Sequence, residues 1–338
     1  MYLQQNISLK PYNTFGIEAK AKEFVEVATL EELVILCQVF NLTERKILVL
    51  GGGSNILLSG DFDGMVIKNS IKGISIVKEN ENHVWVKAMA GEVWHEFVLW
   101  CINHNLGGVE NLSLIPGCVG AAPMQNIGAY GAEIKQVFDR LEAVELLTGQ
   151  VVTFTNMQCK FGYRESIFKN EAKGKYIITS VTFKLNKNPE FNITYGAIQQ
   201  TLHEMGVSSL SLKAISDAVI QIRKSKLPDP AVLGNAGSFF KNPEVDKSLY
   251  DQLKVEYPTL VGYPTLGNKI KLAAGWLIEQ CGWKGKVIGN TGSHKDQALV
   301  LVNYGNATGN EIYSLALDIQ ASVKQKFGVE IVPEVNVV

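Results

Sequence analysis

Apolar and charged residues mix over the short run AKEFVEVA at 21–28, which reads as a strand. TLEELVILCQVF then changes to a helical spacing, with Thr29 placed as its N-cap, and RKILVLGGGSNILL returns to a strand that runs into a glycine loop. From Met65 to about Leu185 the pattern is mainly β, through HVWVKAMA, LEAVELL and KYIITSVTFKL. EVWHEFVLWCINHN interrupts it as a helix with Val93, Phe97, Trp100 and Cys101 on one face. A second interruption, LSLIPGCVGAAPMQNIGAYGAE, is rich in glycine, alanine and proline and reads as backbone that approaches something closely. Further on, SLKAISDAVIQIRKSKLPDP reads as a helix ended by Pro228 and Pro230. Helices are also predicted near KSLYDQLKVEYP, KIKLAAGWLIEQCGW and NEIYSLALDIQASVKQKFG, with a strand at QALVLVNY and a closing apolar run, VEIVPEVNVV. In the last helix Ile312, Leu315, Ile319, Val323 and Phe327 form a stripe suited to packing on a sheet.

A length of 338 residues exceeds what one hydrophobic core usually supports, so two or three domains are expected. The net charge of −1 gives no general attraction to nucleic acid or anionic lipid. No apolar window is long enough for a membrane span and the N-terminus lacks a signal-peptide pattern, which makes the cytoplasm the expected location. Five scattered cysteines include no Cys-x-x-Cys pair, and the five histidines form no metal-ligand spacing; reduced thiols and no metal are expected. A small-molecule partner is the expectation that remains.

GGGSN at 51–55 fits neither common nucleotide motif: Ile56 stands where G-x-G-x-x-G needs glycine, and no Gly-Lys-Ser/Thr follows. Consecutive glycines still leave backbone N–H groups able to converge on an anion, and a tight structural turn is the competing reading. The second loop, with Gly117, Gly120, Gly128 and Gly131, is long enough for a ligand larger than one phosphate. Together with NTFGI at 13–17, FGYRESIFK at 161–169, GNAGSFFKNP at 234–243 and the closing PEV, these loops closely resemble the UDP-N-acetylenolpyruvoylglucosamine reductase family, in order and over essentially the whole chain. The resemblance implies an α+β protein: an FAD-binding fold of the vanillyl-alcohol-oxidase/PCMH type in two lobes, plus a separate α/β substrate-binding domain. It divides the chain into lobe 1 at 1–66, lobe 2 at 67–222 joined by a strand at about 328–338, and a substrate domain at 223–327. FAD is implied to be non-covalent, which the absence of a histidine or cysteine from the glycine loop fits, and NADPH is the implied reductant. The UDP-sugar is the implied substrate, and a monomer is expected.

By the same resemblance the cofactor contacts are Asn13, Thr14, Gly51, Gly52, Gly53, Ser54, Asn55, Pro116, Gly117, Gly120, Ala121, Gln125, Asn126, Gly128, Ala129 and Tyr130. The implied reaction reduces an enolpyruvyl ether to a lactyl ether, which needs a grip on the carboxylate, a proton donor and an anchor for the sugar nucleotide. Arg164 resembles the family's carboxylate-binding arginine; read alone, an arginine beside Glu165 is more often a surface ion pair. Glu334 lies in an apolar run, where an unpaired carboxylate is costly, and matches the family's partner for the developing enolate. For the reaction that the resemblance implies, Ser238 is the proton donor candidate; with no Gly-x-Ser-x-Gly elbow and no sequence neighbours to complete a triad, it lacks the signs of a nucleophile. Lys226, Asn242 and Gln297 are carried over as diphosphate contacts, and Tyr195 resembles the loop tyrosine of the family's first structural class. One departure stands at Asn336, where relatives often carry a basic residue. A flavin oxidase of the same wider fold, and a nucleotide-sugar binding protein that has lost its cofactor, are the competing readings.

Overall fold

The computed structural model describes residues 1–338. The chain folds as two compact units: one of residues 1–7, 21–52 and 63–225, the other of residues 8–20, 53–62 and 226–338. This grouping cuts the chain differently from the three-part division expected from sequence, because the short segments 8–20 and 53–62 fold with the C-terminal region.

The first unit contains two sheets. In the smaller, strands Gln4–Ser8, Lys20–Val27, Phe62–Asn69 and Ile47–Leu50 lie in that order, with the last two parallel. Helix α1, Leu30–Val39, starts at Thr29, whose hydroxyl accepts from the Glu32 N–H at 3.1 Å. Its Leu33 and Leu36 are buried with Val25, Val27, Met65 and Ile67 of this sheet, with Val144 and Ile177 of the larger one, and with Leu146 in the turn after it. The larger sheet is antiparallel throughout, in the order Val151–Thr155, Phe138–Glu145, Tyr176–Asn186, His83–Met89, Ile74–Glu79. Helix α2, Trp94–Asn103, covers one of its faces: Trp94 and Phe97 meet Phe183 with ring centroids 5.8 and 4.8 Å apart. Each such fully buried side chain contributes roughly 1.5–3 kcal/mol. Helix α3, Leu212–Lys226, ends the unit just before Pro228.

In the second unit an antiparallel sheet runs Gly234–Ser238, Val300–Asn303, Thr291–Ser293, Val287–Ile288. KIKLAAGWLIEQCGW, which the sequence pattern predicts as one helix, is two elements. Lys269–Leu272 is the middle strand of a three-stranded sheet, and helix α4, Ala274–Gln280, follows it. The alternation of KIKL carries a period of two that the alanines after it conceal. Helix α5, Gly309–Phe327, begins in a capping box between Thr308 and Glu311 and ends at Gly328 with φ +66°. Its predicted stripe of Ile312, Leu315, Ile319, Val323 and Phe327 is buried throughout. The chain closes with Asn336–Val337 pairing in parallel with Ile56–Leu57.

Candidate active site

In the first unit, the strand Ile47–Leu50 delivers the glycine loop to the second glycine-rich segment. A side chain on Gly52 would place its Cβ 2.8 Å from the Gly117 Cα, so the two loops touch backbone to backbone. Neither tolerates bulk at that point. The N–H groups of Gly52, Gly53 and Ser54 donate to no group of the chain. Backbone donors left over in a glycine loop suit an anionic guest.

The segment 110–131 is built of tight turns rather than long elements, with 3₁₀ helices at Glu110–Leu112 and Val119–Gln125. Leu114, Asn126, Tyr130 and Arg164 all have positive φ, between 45° and 58°. Leucine, tyrosine and arginine rarely adopt this conformation, and such strain concentrates at functional sites. Asn126 is fully buried, and its side chain spans to Glu133, the Gly162 carbonyl and the Lys135 N–H. It thereby ties the Gln125–Tyr130 turns to the loop that carries Arg164. The Arg164 Nη2 donates to the Gly128 carbonyl at 2.7 Å. Gly120 packs on Ala90, whereas Pro116 and Ala121 are exposed and Gln125, Gly128 and Ala129 half-buried, leaving a narrow surface of small and apolar groups. Tyr195 is 57% exposed, on a loop anchored by reciprocal bonds: the Asn111 amide donates to Tyr130 and Asn192 carbonyls, and the Asn192 amide to Gly131.

Arg223 of α3 belongs to this neighbourhood and was invisible in the sequence. It sits in a run, QIRKSK, that the sequence reads only as the end of a helix. In the fold its Nε donates to the Leu114 carbonyl at 3.2 Å and its guanidinium bonds Tyr130, with no carboxylate among its partners. Burial pushes its pKa down from the usual guanidinium range and that of Tyr130 up. Both shifts have the same cause, the removal of water.

In the second unit, Asn13 spends its side chain locally, donating to the Leu9 and Ile17 carbonyls and accepting from the Ile17 N–H. The turn it fixes presents the Thr14 N–H to the Gly53 carbonyl at 3.1 Å. Gly53 itself has φ +61°, and a Cβ there would lie 1.9 Å from the Tyr12 carbonyl oxygen. Ser238 and Glu334, almost a hundred residues apart, become neighbours: the Glu334 N–H donates to the Phe239 carbonyl at 2.7 Å, beside a bridge between Phe240 and Pro333. The Glu334 carbonyl accepts from the Asn55 amide at 3.3 Å. Asn336 gives both its backbone and its side-chain N–H to the Asn55 carbonyl, so at this departure from the family pattern the residue braces the glycine loop. Ser238 is exposed and its hydroxyl makes no hydrogen bond within the chain. Asn242 and Gln297 converge on the first turn of α4: the Asn242 oxygen accepts from the Ala274 N–H, and the Gln297 Oε1 lies 3.2 Å from where a Gly275 Cβ would stand. Lys226 is exposed at the start of the second unit.

Residues 21–155 match the model of an FAD binding domain. With an α+β fold of two sheets and facing glycine loops, that match defines a flavoprotein with the vanillyl-alcohol-oxidase/PCMH type of FAD-binding fold. Residues 229–338 match the C-terminal domain of UDP-N-acetylenolpyruvoylglucosamine reductase. The reductase of that name from Flavobacterium johnsoniae is 54% identical, and that from Amoebophilus asiaticus 52%, each match covering 100% of both chains. The one from Pseudomonas putida is 48% identical over 98% of each chain. The crystal structure of the reductase from Thermus caldophilus superposes with a TM-score of 0.69 at 24% identity, covering 100% of this chain and 99% of that one, a likeness of fold. The chain belongs to the UDP-N-acetylenolpyruvoylglucosamine reductase family, FAD-dependent oxidoreductases of peptidoglycan precursor synthesis. No helix is long and apolar enough to cross a membrane.

Proposed function

We propose that this chain reduces the enolpyruvyl ether of UDP-N-acetylglucosamine enolpyruvate to the lactyl ether of UDP-N-acetylmuramate, with NADPH as the reductant. The observation that carries the reading is the meeting of Ser238 and Glu334 across the Phe239 carbonyl. FAD, when bound, supplies the two-electron reduction of the carbon–carbon double bond, taking its electrons from NADPH. Ser238 supplies the proton from Oγ, which a strongly basic enolate carbon accepts when the hydroxyl is held close. An exposed hydroxyl with no partner in the chain is available for that donation and regains its proton from solvent. Arg164 holds the substrate carboxylate and stabilises the charge that spreads onto it, a task for a permanently charged planar fork. Glu334, the neighbour of Ser238, is the partner for the developing enolate. Lys226, Asn242 and Gln297 hold the diphosphate, supported by the convergence of the last two on one turn. Tyr195, exposed on its anchored loop, closes over the nucleotide.

The test separates the two half-reactions by anaerobic stopped-flow absorbance. Ser238→Ala is expected to bleach with NADPH at a near wild-type rate and to reoxidise with the enolpyruvyl substrate slower by about 10²–10⁴. Equal slowing of both half-reactions would remove Ser238 from the role.

A further inference from the structure

Leu114 opens the segment that leads into Pro116 and Gly117, and it does so with φ +58°. Two side chains hold it there. The Leu114 N–H donates to His95 Nδ1 at 3.0 Å, and the Leu114 carbonyl accepts from Arg223 Nε at 3.2 Å. Just before it, the buried hydroxyls of Ser113 and Ser216 bond at 2.7 Å, fixing the chain to α3. For Nδ1 to accept, it must be bare, with the ring proton on Nε2.

We propose that His95, neutral and protonated on Nε2, is a positioning residue for FAD: with Arg223 it holds Leu114 in the left-handed conformation from which the segment 115–131 departs, and protonation of the ring releases that segment. The inference rests on the reading that residues 116–130 line the cofactor. The groups facing His95 agree with a neutral ring. Burial pushes it below the ordinary imidazole range, Glu96 on its own helix opposes this, and Arg223 and Lys224 from α3 add to it. An imidazolium would carry a proton on Nδ1 against the Leu114 N–H, with Arg223 beside it.

The sign follows: FAD is held firmly while the ring is neutral and is released as pH falls through the lowered range of the His95 imidazole. The experiment uses the holoenzyme, with free flavin fluorescence in the filtrate and visible circular dichroism of the bound flavin followed from pH 8 to pH 5. Wild type is expected to release FAD about tenfold more readily at the acid end. His95→Asn keeps an acceptor oxygen near the Nδ1 position and cannot titrate, so it should match wild type at pH 8 and lose the acid-dependent release. His95→Phe leaves the Leu114 N–H without a partner, and at least about tenfold weaker retention is expected already at pH 8. An acid-dependent release in His95→Asn equal to that of wild type overturns the proposal, and this variant decides the matter if His95→Phe does not fold. Gly117→Ala, strained at φ +109°, separates the two readings. FAD lost there but kept in His95→Phe sinks the clamp alone, whereas FAD kept in both sinks the placement of the cofactor on this segment.

Discussion

Gly52→Ala adds one methyl group at the point where the two glycine loops meet. Its Cβ would stand 2.8 Å from the Gly117 Cα and 3.4 and 3.5 Å from the Gly117 carbonyl carbon and nitrogen. Carbon atoms pack at about 3.5–4.0 Å, so the loops must part by roughly 1 Å. All three obstacles are backbone atoms, which no rotamer change can move aside. Overpacking of this kind costs about 1–3 kcal/mol. If the loops relax apart when no cofactor holds them, that cost falls on FAD binding and weakens it by about 5- to 150-fold. Gly60→Ala is the control, because a Cβ there meets nothing within 4 Å and its φ lies outside the left-handed region. Flavin retained after ultrafiltration, measured by fluorescence, and the thermal midpoint of each variant give the comparison. A Gly52→Ala enzyme that holds FAD and melts like the Gly60→Ala control would refute the claim that the loops are closed against each other.

Two further predictions concern stability. Glu142 on the large sheet is raised by burial but pulled below the usual carboxylate range overall by Lys87, 2.5 Å away, by Ser180 and by Arg140. A lowered folded-state pKa means stability present above about pH 4.3 and lost as pH falls through the Glu142 range; Lys87→Met should therefore lower the urea midpoint at pH 7 and flatten its fall between about pH 5 and 3. Thr308→Ala removes the hydroxyl that accepts from the Glu311 N–H at 3.2 Å at the start of α5, and equilibrium unfolding should show a loss of about 1 kcal/mol. An unchanged unfolding curve would mean the capping box adds nothing.

Much of the fold is legible in the sequence because amphipathic periods are local. The stripe of α5 and the cap at Thr29 need only their own segments to be read. Arg223 needs more: its burial depends on α3 packing against residues 113–115, a hundred positions earlier, and nothing in QIRKSK announces that. Asn13 and Asn126 have a local use that the resemblance does not show. The resemblance makes them cofactor contacts, yet their amides are engaged by nearby backbone and side chains, so their most visible work is to shape the loops. Short polar side chains bond to local backbone wherever a turn offers it, and a sequence alone does not distinguish that use from ligand binding.

Ser238 is exposed at a defect in its strand. A regular strand alternates faces, but Asn235 and Ala236 are both buried, as are Phe239 and Phe240, and only Gly237 and Ser238 between them reach outward. The pairing with Val300–Asn303 shifts register between Asn235 and Ser238. Gly237 takes φ +69° there, and its N–H is received by the Asn235 side chain at 2.9 Å. The Asn235 amide in turn donates to the Pro228 and Leu233 carbonyls, so the bulge is braced from inside the unit. A bulge re-aims the side chain after it without disturbing the rest of the sheet. The space around Gly237 is open, with nothing within 4 Å of a Cβ, so the glycine is required by the backbone angle rather than by crowding. Phe239 and Phe240, packed edge to face at 5.1 Å, then pin the chain immediately after the serine. A hydroxyl is a weak acid, and nothing here strengthens it chemically. What the fold supplies is a fixed position beside Glu334, which is the contribution that the proposed proton donation to a short-lived carbanion requires.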